Sequence, residues 1–246
     1  MSEWSMVNSY NHLGCAVGQF DNARGFDLSV KCRTLTVTDI NNKRIQVVDD
    51  QGKYLHHWSV TVNGLRLCPL NLRRQDNEVV AAVVEGCAVL YNCPNVTDFQ
   101  GITVKLLHTF GNDDLVFPRS ILVNSKDQYV ISDVGRQRVT VHDVYGKVLR
   151  AIGHSEDTMR FNWPYYMCAD SKGRIAVSDS HNRCVKLFDE KDFKFISSFG
   201  ENELTCATGV CESLDGRSFY VGDYDTKSLI EYSTDGKYIG HIDKKT

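Results

Sequence analysis

Short runs in which apolar and polar residues alternate with a period of two recur along most of this chain. "YVISD" (129–133) and "VTVHD" (139–143) show the pattern well, and it is the signature of strands with one face turned to a core. The 3.6-residue period of an amphipathic helix is missing. The runs also repeat. "LTVTDINNKRIQVVD" (35–49), "YVISDVGRQRVTVHD" (129–143), "IAVSDSHNRCVKLFD" (175–189) and "FYVGDYDTKSLIEYS" (219–233) share one frame, with Asp39, Asp133, Asp179 and Asp223 at the same place. "VVAAVVEGCAVLYN" (79–92) supplies a degenerate fifth copy with Glu85 at the Asp position, and successive spacings become 46, 48, 46 and 44 residues. A fixed period of that size predicts a solenoid or a propeller.

Each copy extends in both directions. After the second strand of the frame comes D-x-x-G-K, ending at Lys53 and Lys147, with "STDGK" ending at Lys237. Gly adopts positive φ without penalty, so this is a hairpin turn; in the fourth copy Asp192 is expected at the Gly position. An apolar strand follows ("YLHHWSV", "VLRAIG", "FKFISSFG", "YIGHI"), and another precedes the frame ("RGFDLSV", "RSILVNS", "YYMCADS", "GVCESL"). Four antiparallel strands in about 45 residues cannot cover their own faces, but sheets packed radially bury them. The expectation is an all-β propeller of four-stranded antiparallel blades over 14–242. Five repeats are visible and favour five blades, with an incomplete six-bladed propeller as the alternative. Residues 1–13 are expected to be an N-terminal extension or closing strand, and 243–246 a tail. The repeated Asp is assigned to structure: its carboxylate can accept backbone N–H groups of the following turn.

Composition narrows the reading. Of 246 residues, 42% are hydrophobic and 24% charged, and the net charge is −3, so any anion-binding role must come from a local patch. The nine cysteines contain no C-x-x-C pair; Cys87/Cys93 and Cys206/Cys211 are expected to be buried thiols of a reducing compartment. The first residues lack the charged and apolar regions of a signal peptide, and no apolar run is long enough to span a bilayer. The expected location is cytoplasmic, with no membrane partner.

Some residues carry a family likeness. "FPRSILV", "DVGRQRVTVHD" and "TDINNKRIQVVD" resemble the NHL repeat, most closely as found in the C-terminal propellers of TRIM-NHL proteins. That resemblance implies a non-catalytic propeller that binds single-stranded or stem-loop RNA on one loop face and acts in post-transcriptional regulation. By the repeat, this face gathers Arg24, Arg119 and Tyr165 at the starts of inner strands, with Tyr166 one place on. The second-to-third strand loops add Arg44, then Arg136 and Arg138, then His181, Asn182 and Arg183. Guanidinium groups pair with phosphate, aromatic rings stack on bases, and Asn and His reach base edges. Strand alternation turns one of Tyr165 and Tyr166 inward, and Trp163 is expected in core or blade packing, with stacking on an unpaired base as its alternative. Acids and bases on the face are about equal in number, so binding requires a basic sector around the third and fourth repeats. The alternative is a protein-interaction platform, such as the docking end of a TRIM-type ubiquitin ligase. A metal-dependent enzyme would need His or carboxylates on several inner strands; only Asp27 and Glu212 qualify. No catalytic residue, metal or cofactor, and no small-molecule substrate, is expected.

Overall fold

The computed structural model describes residues 13–29, 31–75, 79–94, 98–153 and 159–242. The expected tail, 243–246, and the expected 1–13 extension up to residue 12 lie outside them. Five four-stranded antiparallel sheets follow one another around a common axis. Blade 1 is β1 (Ala23–Ser29), β2 (Thr34–Asp39), β3 (Arg44–Asp49) and β4 (Tyr54–Ser59). A small hairpin, β5 (Thr61–Val62) and β6 (Leu65–Arg66), leads to blade 2: β7 (Asn71–Gln75), β8 (Val79–Val84), β9 (Cys87–Asn92) and β10 (Lys105–Phe110). Blade 3 comprises β11 (Pro118–Val123), β12 (Tyr129–Asp133), β13 (Arg138–His142) and β14 (Val148–Ile152). Blade 4 comprises β15 (Pro164–Ala169), β16 (Arg174–Asp179), β17 (Cys184–Asp189) and β18 (Phe195–Phe199). Blade 5 comprises β19 (Ala207–Glu212), β20 (Ser218–Asp223), β21 (Ser228–Ser233) and β22 (Tyr238–His241). The first strand of each blade lies nearest the axis. No described helix is long and apolar enough to cross a membrane.

Side chains of alternate parity leave each sheet on opposite faces, so blades 2, 3 and 4 each join two cores. Four apolar clusters result, one between each successive pair. Ile45, Val47 and Trp58 meet Leu72, Val80 and Val89 between blades 1 and 2. Ala81 and Leu90 meet Ile121 and Ile131 in the next gap. Val139 and Val141 then meet Met167 and Val177, and Val185 and Leu187 meet Val210 and Phe219. No such cluster joins blade 5 to blade 1 among the described residues.

The repeated Asp does more than lock its own turn. Asp133 is fully buried. It accepts N–H bonds from Val116 (3.0 Å) and Phe117 (2.8 Å) in the connector entering its blade, and from Gly135 (3.1 Å) in the turn beyond. Asp39 accepts from Asp21, Asp179 from Asn162, and Asp223 from Thr205 and Cys206. The expected bond to the following turn is present for Asp133 and Asp223, but the connector is the common partner. Glu85 does not reproduce this: it is exposed in a two-residue turn closed by Gly86 at φ +77°.

The outer hairpin turns follow the pattern in blades 1 and 3, where Gly52 and Gly146 have φ of 78° and 83°. Asp49 and Asp143 brace them by accepting from Lys53 and Lys147. In blade 4 the expectation fails. The left-handed residue is Phe193 (φ 54°), not Asp192, because the turn holds one more residue and Asp189 N–H bonds to Lys194 O. Phe193 accepts the backbone cost because its ring is buried in the cluster between blades 3 and 4.

Candidate ligand-binding face

Connectors between blades and second-to-third strand turns emerge at one end of the axis, as the strand register requires: Pro118 sits opposite Asp133, and Pro164 opposite Asp179. The turns share one device, a non-glycine residue with positive φ just before or at the start of the third strand: Lys43, Gln137, Arg183 and Lys227. This fixes where the intervening side chains project.

Three of the predicted residues converge at the mouth of the axis from three blades. Arg24 Nη1 lies 3.4 Å from Tyr165 Oη, joining blades 1 and 4. The guanidinium of Arg119, from blade 3, stands 4.1 Å from the Phe117 ring centroid and 5.3 Å from that of Tyr165. Its Nε is buried with no hydrogen-bond partner. Burial is the largest influence on Arg119 and draws its pKa down; an arginine remains cationic at neutral pH even so. Tyr166 turns into the axial cavity, its ring 5.2 Å from that of Tyr165. Burial pushes its hydroxyl pKa up. Both rings are half-buried and lie side by side, at the irregularity in pairing between Pro164 and Met167, rather than on opposite faces.

Two predicted arginines are not available. Arg44 is buried, ion-paired with Asp39 at 2.8 Å, and donates to the carbonyls of Cys15, Ala16 and Gln19. Arg138 is buried against Asp114 at 2.6 Å. Both clamp the connector entering their own blade, and Lys186 does the same in blade 4 through Asp179 and Arg160 O. Asn182 is likewise committed: its amide donates to Arg160 O and Asp179. Arg136, His181 and Arg183 are exposed. The basic sector expected around the third and fourth repeats is thus thinner than its residues suggest, since Asp114 neutralises Arg138.

Trp163 corrects the sequence expectation in the other direction. It is 40% exposed and not in the core. Its backbone is left-handed (φ 64°), and its indole stacks on the His181 imidazole, centroids 4.4 Å apart and planes 18° from parallel. Beside it, Gln137, Arg160, Phe161, Asn162 and Asn182 line a polar depression of about 380 Å³. The sequence does place Trp163 directly before the blade-opening Pro164, the position equivalent to exposed Asn22 and to Phe117. That equivalence was the available signal.

The inward carboxylates have structural partners. Asp27 pairs with Arg73 at 3.3 Å, and Glu212 accepts the N–H and hydroxyl of Ser171. Among the described residues, no cluster of three His, Cys, Asp or Glu side chains is placed to hold a metal. All nine cysteines are free thiols. Cys87 and Cys93 are buried as expected, whereas Cys206 is half-buried and Cys211 exposed.

No family model matches the chain, and no curated protein matches it. Solved structures do. A streptogramin B lyase structure aligns with 96% of this chain over 72% of its own, at 12% identity and a TM-score of 0.67. Virginiamycin B lyase from Staphylococcus aureus aligns with 88% over 68% of its own, at 14% identity and 0.67. A chain of a nidogen–laminin complex aligns with 89% over 79%, at 13% identity and 0.68. At such identities the likeness establishes the fold alone, a β-propeller; it says nothing of activity.

Proposed function

We propose that this propeller is a non-catalytic RNA-binding domain that takes single-stranded RNA on the connector face, in the post-transcriptional setting the NHL resemblance implies. One observation carries the reading: the meeting of Arg24, Arg119 and Tyr165 at the axis. A guanidinium held against two rings and short of hydrogen-bond partners suits phosphate, and an adjacent aromatic face suits an unpaired base. The Trp163–His181 stack offers a second platform beside them.

The test is fluorescence polarisation with a pool of short single-stranded RNAs at about 50 mM salt, where phosphate contacts are strongest. Arg119→Glu and Trp163→Ala are each expected to weaken binding by about 1–3 kcal/mol. Lys53→Glu, in a turn at the opposite end of the blades, should leave it unchanged. Absence of binding at low salt, or equal damage from Lys53→Glu, rejects the proposal. The second reading, a protein-docking platform in a TRIM-type ligase, draws on Val116 and Tyr224, apolar side chains 50% and 62% exposed on the same face. A defined partner retained after nuclease treatment, and lost in Tyr224→Ala, would favour it.

A further inference from the structure

The gap between blade 5 and blade 1 differs from the other four. Phe26 of β1 is 63% exposed, whereas Leu72, Ile121, Met167 and Val210, which occupy its place in the other inner strands, are at most 9% exposed. Across the gap Leu229 of β21 is 39% exposed, whereas Ile45, Ala88, Val139 and Val185, at the same place in other blades, are fully buried. The two apolar side chains flank a cavity of about 580 Å³ that runs into the axial channel, within the size range of small-ligand sites, roughly 300–1,000 Å³. Arg24 and Arg73 line it and no carboxylate does. Arg73 is shared with Asp27; among the described residues Arg24 bonds only to the neutral Asn22 and Tyr165 side chains. One wall is bare: a Cβ built on Gly209 would meet nothing within 4 Å.

We infer that this slot binds a small amphipathic anion, a flat apolar body with one carboxylate or sulfonate. The body lies between Phe26 and Leu229, and the acid meets Arg24 at the channel mouth. The cavity volume sets the ligand size, apolar side chains whose counterparts are all covered set its body, and a cation without a carboxylate sets its charge. The ligand is bound and not transformed; the slot lies apart from the Trp163 platform but shares Arg24 with the proposed RNA-binding mouth.

The probe is 8-anilinonaphthalene-1-sulfonate, a flat apolar sulfonate, compared with N-phenyl-1-naphthylamine, which has the same rings and no charge. The expected result is one sulfonate dye per chain. Arg24→Ala should weaken it at least tenfold and change the neutral dye less than twofold. Gly209→Leu, whose side chain projects into open space, should weaken both dyes at least tenfold while circular dichroism, melting temperature and RNA affinity stay unchanged. Sulfonate binding unaffected by Gly209→Leu overturns the proposal, as does equal loss of both dyes in Arg24→Ala. A dimer in sedimentation that Gly209→Leu dissociates places a second copy in the slot instead. Dye binding that appears only after removal of residues 1–12 assigns the slot to the chain's own beginning. Loss of RNA affinity in Gly209→Leu would make the slot part of the RNA site and overturn the proposal of a distinct small-ligand site.

Discussion

The side chain that holds most together here is an aspartate. Asp133, itself fully buried, satisfies three backbone N–H groups. Leaving even part of that set unpaired is costly, so Asp133→Ala is expected to lower unfolding free energy by about 3 kcal/mol. Glu85→Ala, at the same repeat position but in an exposed turn, should change it by less than about 0.5 kcal/mol. Chemical denaturation of the two variants checks the contrast. Asp223 adds a pH dependence. Desolvation pushes its pKa up, but N–H and hydroxyl bonds from Thr205, Thr226 and Cys206 outweigh it and hold the carboxyl at about 2, against 3.8 for the free group. A depressed folded pKa means the unfolded chain binds the proton first. The contribution of Asp223 is therefore complete above about pH 4 and is lost as pH falls towards 2. Acid titration of stability should show this limb, and Asp223→Asn should flatten it.

At the scale of the blade, the inner strand decides how much each unit contributes to packing. β11 and β1 occupy the same place in their repeats, yet Ile121 is fully buried and Phe26 is 63% exposed. Ile121→Ala removes a core side chain between blades 2 and 3 and is expected to cost about 3 kcal/mol. Phe26→Ala, although it deletes more atoms, should cost less than about 1 kcal/mol, because most of its ring is already in water. Equal costs in denaturant titrations would mean that the first blade is covered in solution. Repeat phase, strand order and hairpin turns were legible in the sequence because they depend on local chemistry: alternation, a turn Gly, a short carboxylate. The turn at Phe193 was not, since its extra residue is stabilised by a ring inserted into a distant cluster.

Across the whole molecule, the binding face was legible in position and only partly in membership. Arg24, Arg119 and Tyr165 stand at one repeat position, and ring geometry brings one repeat position to one place. Arg44 and Arg138 belong to the same loops by sequence, but whether an arginine faces outward or grips the connector depends on where carbonyls such as Gln19 O and groups such as Asp114 arrive in space. Trp163 was misjudged for a related reason: its left-handed backbone lifts the indole out of the sheet and onto His181. The open side between the first and last blades was legible only as the alternative of an incomplete six-bladed ring, since every unit reads alike along the chain and only curvature determines whether the ends meet.

Every blade takes its four strands from one continuous stretch, and in the described residues neither terminus lends a strand to the other's sheet. During synthesis each sheet can therefore finish as it leaves the ribosome and settle against a neighbour that is already folded. Among the described residues, backbone pairing does not wait for the last blade to find the first, which spares them the slow closure that shared-strand rings require. The same independence makes the number of units adjustable: a whole 46-residue repeat inserted or deleted at a connector alters the arc without breaking any sheet.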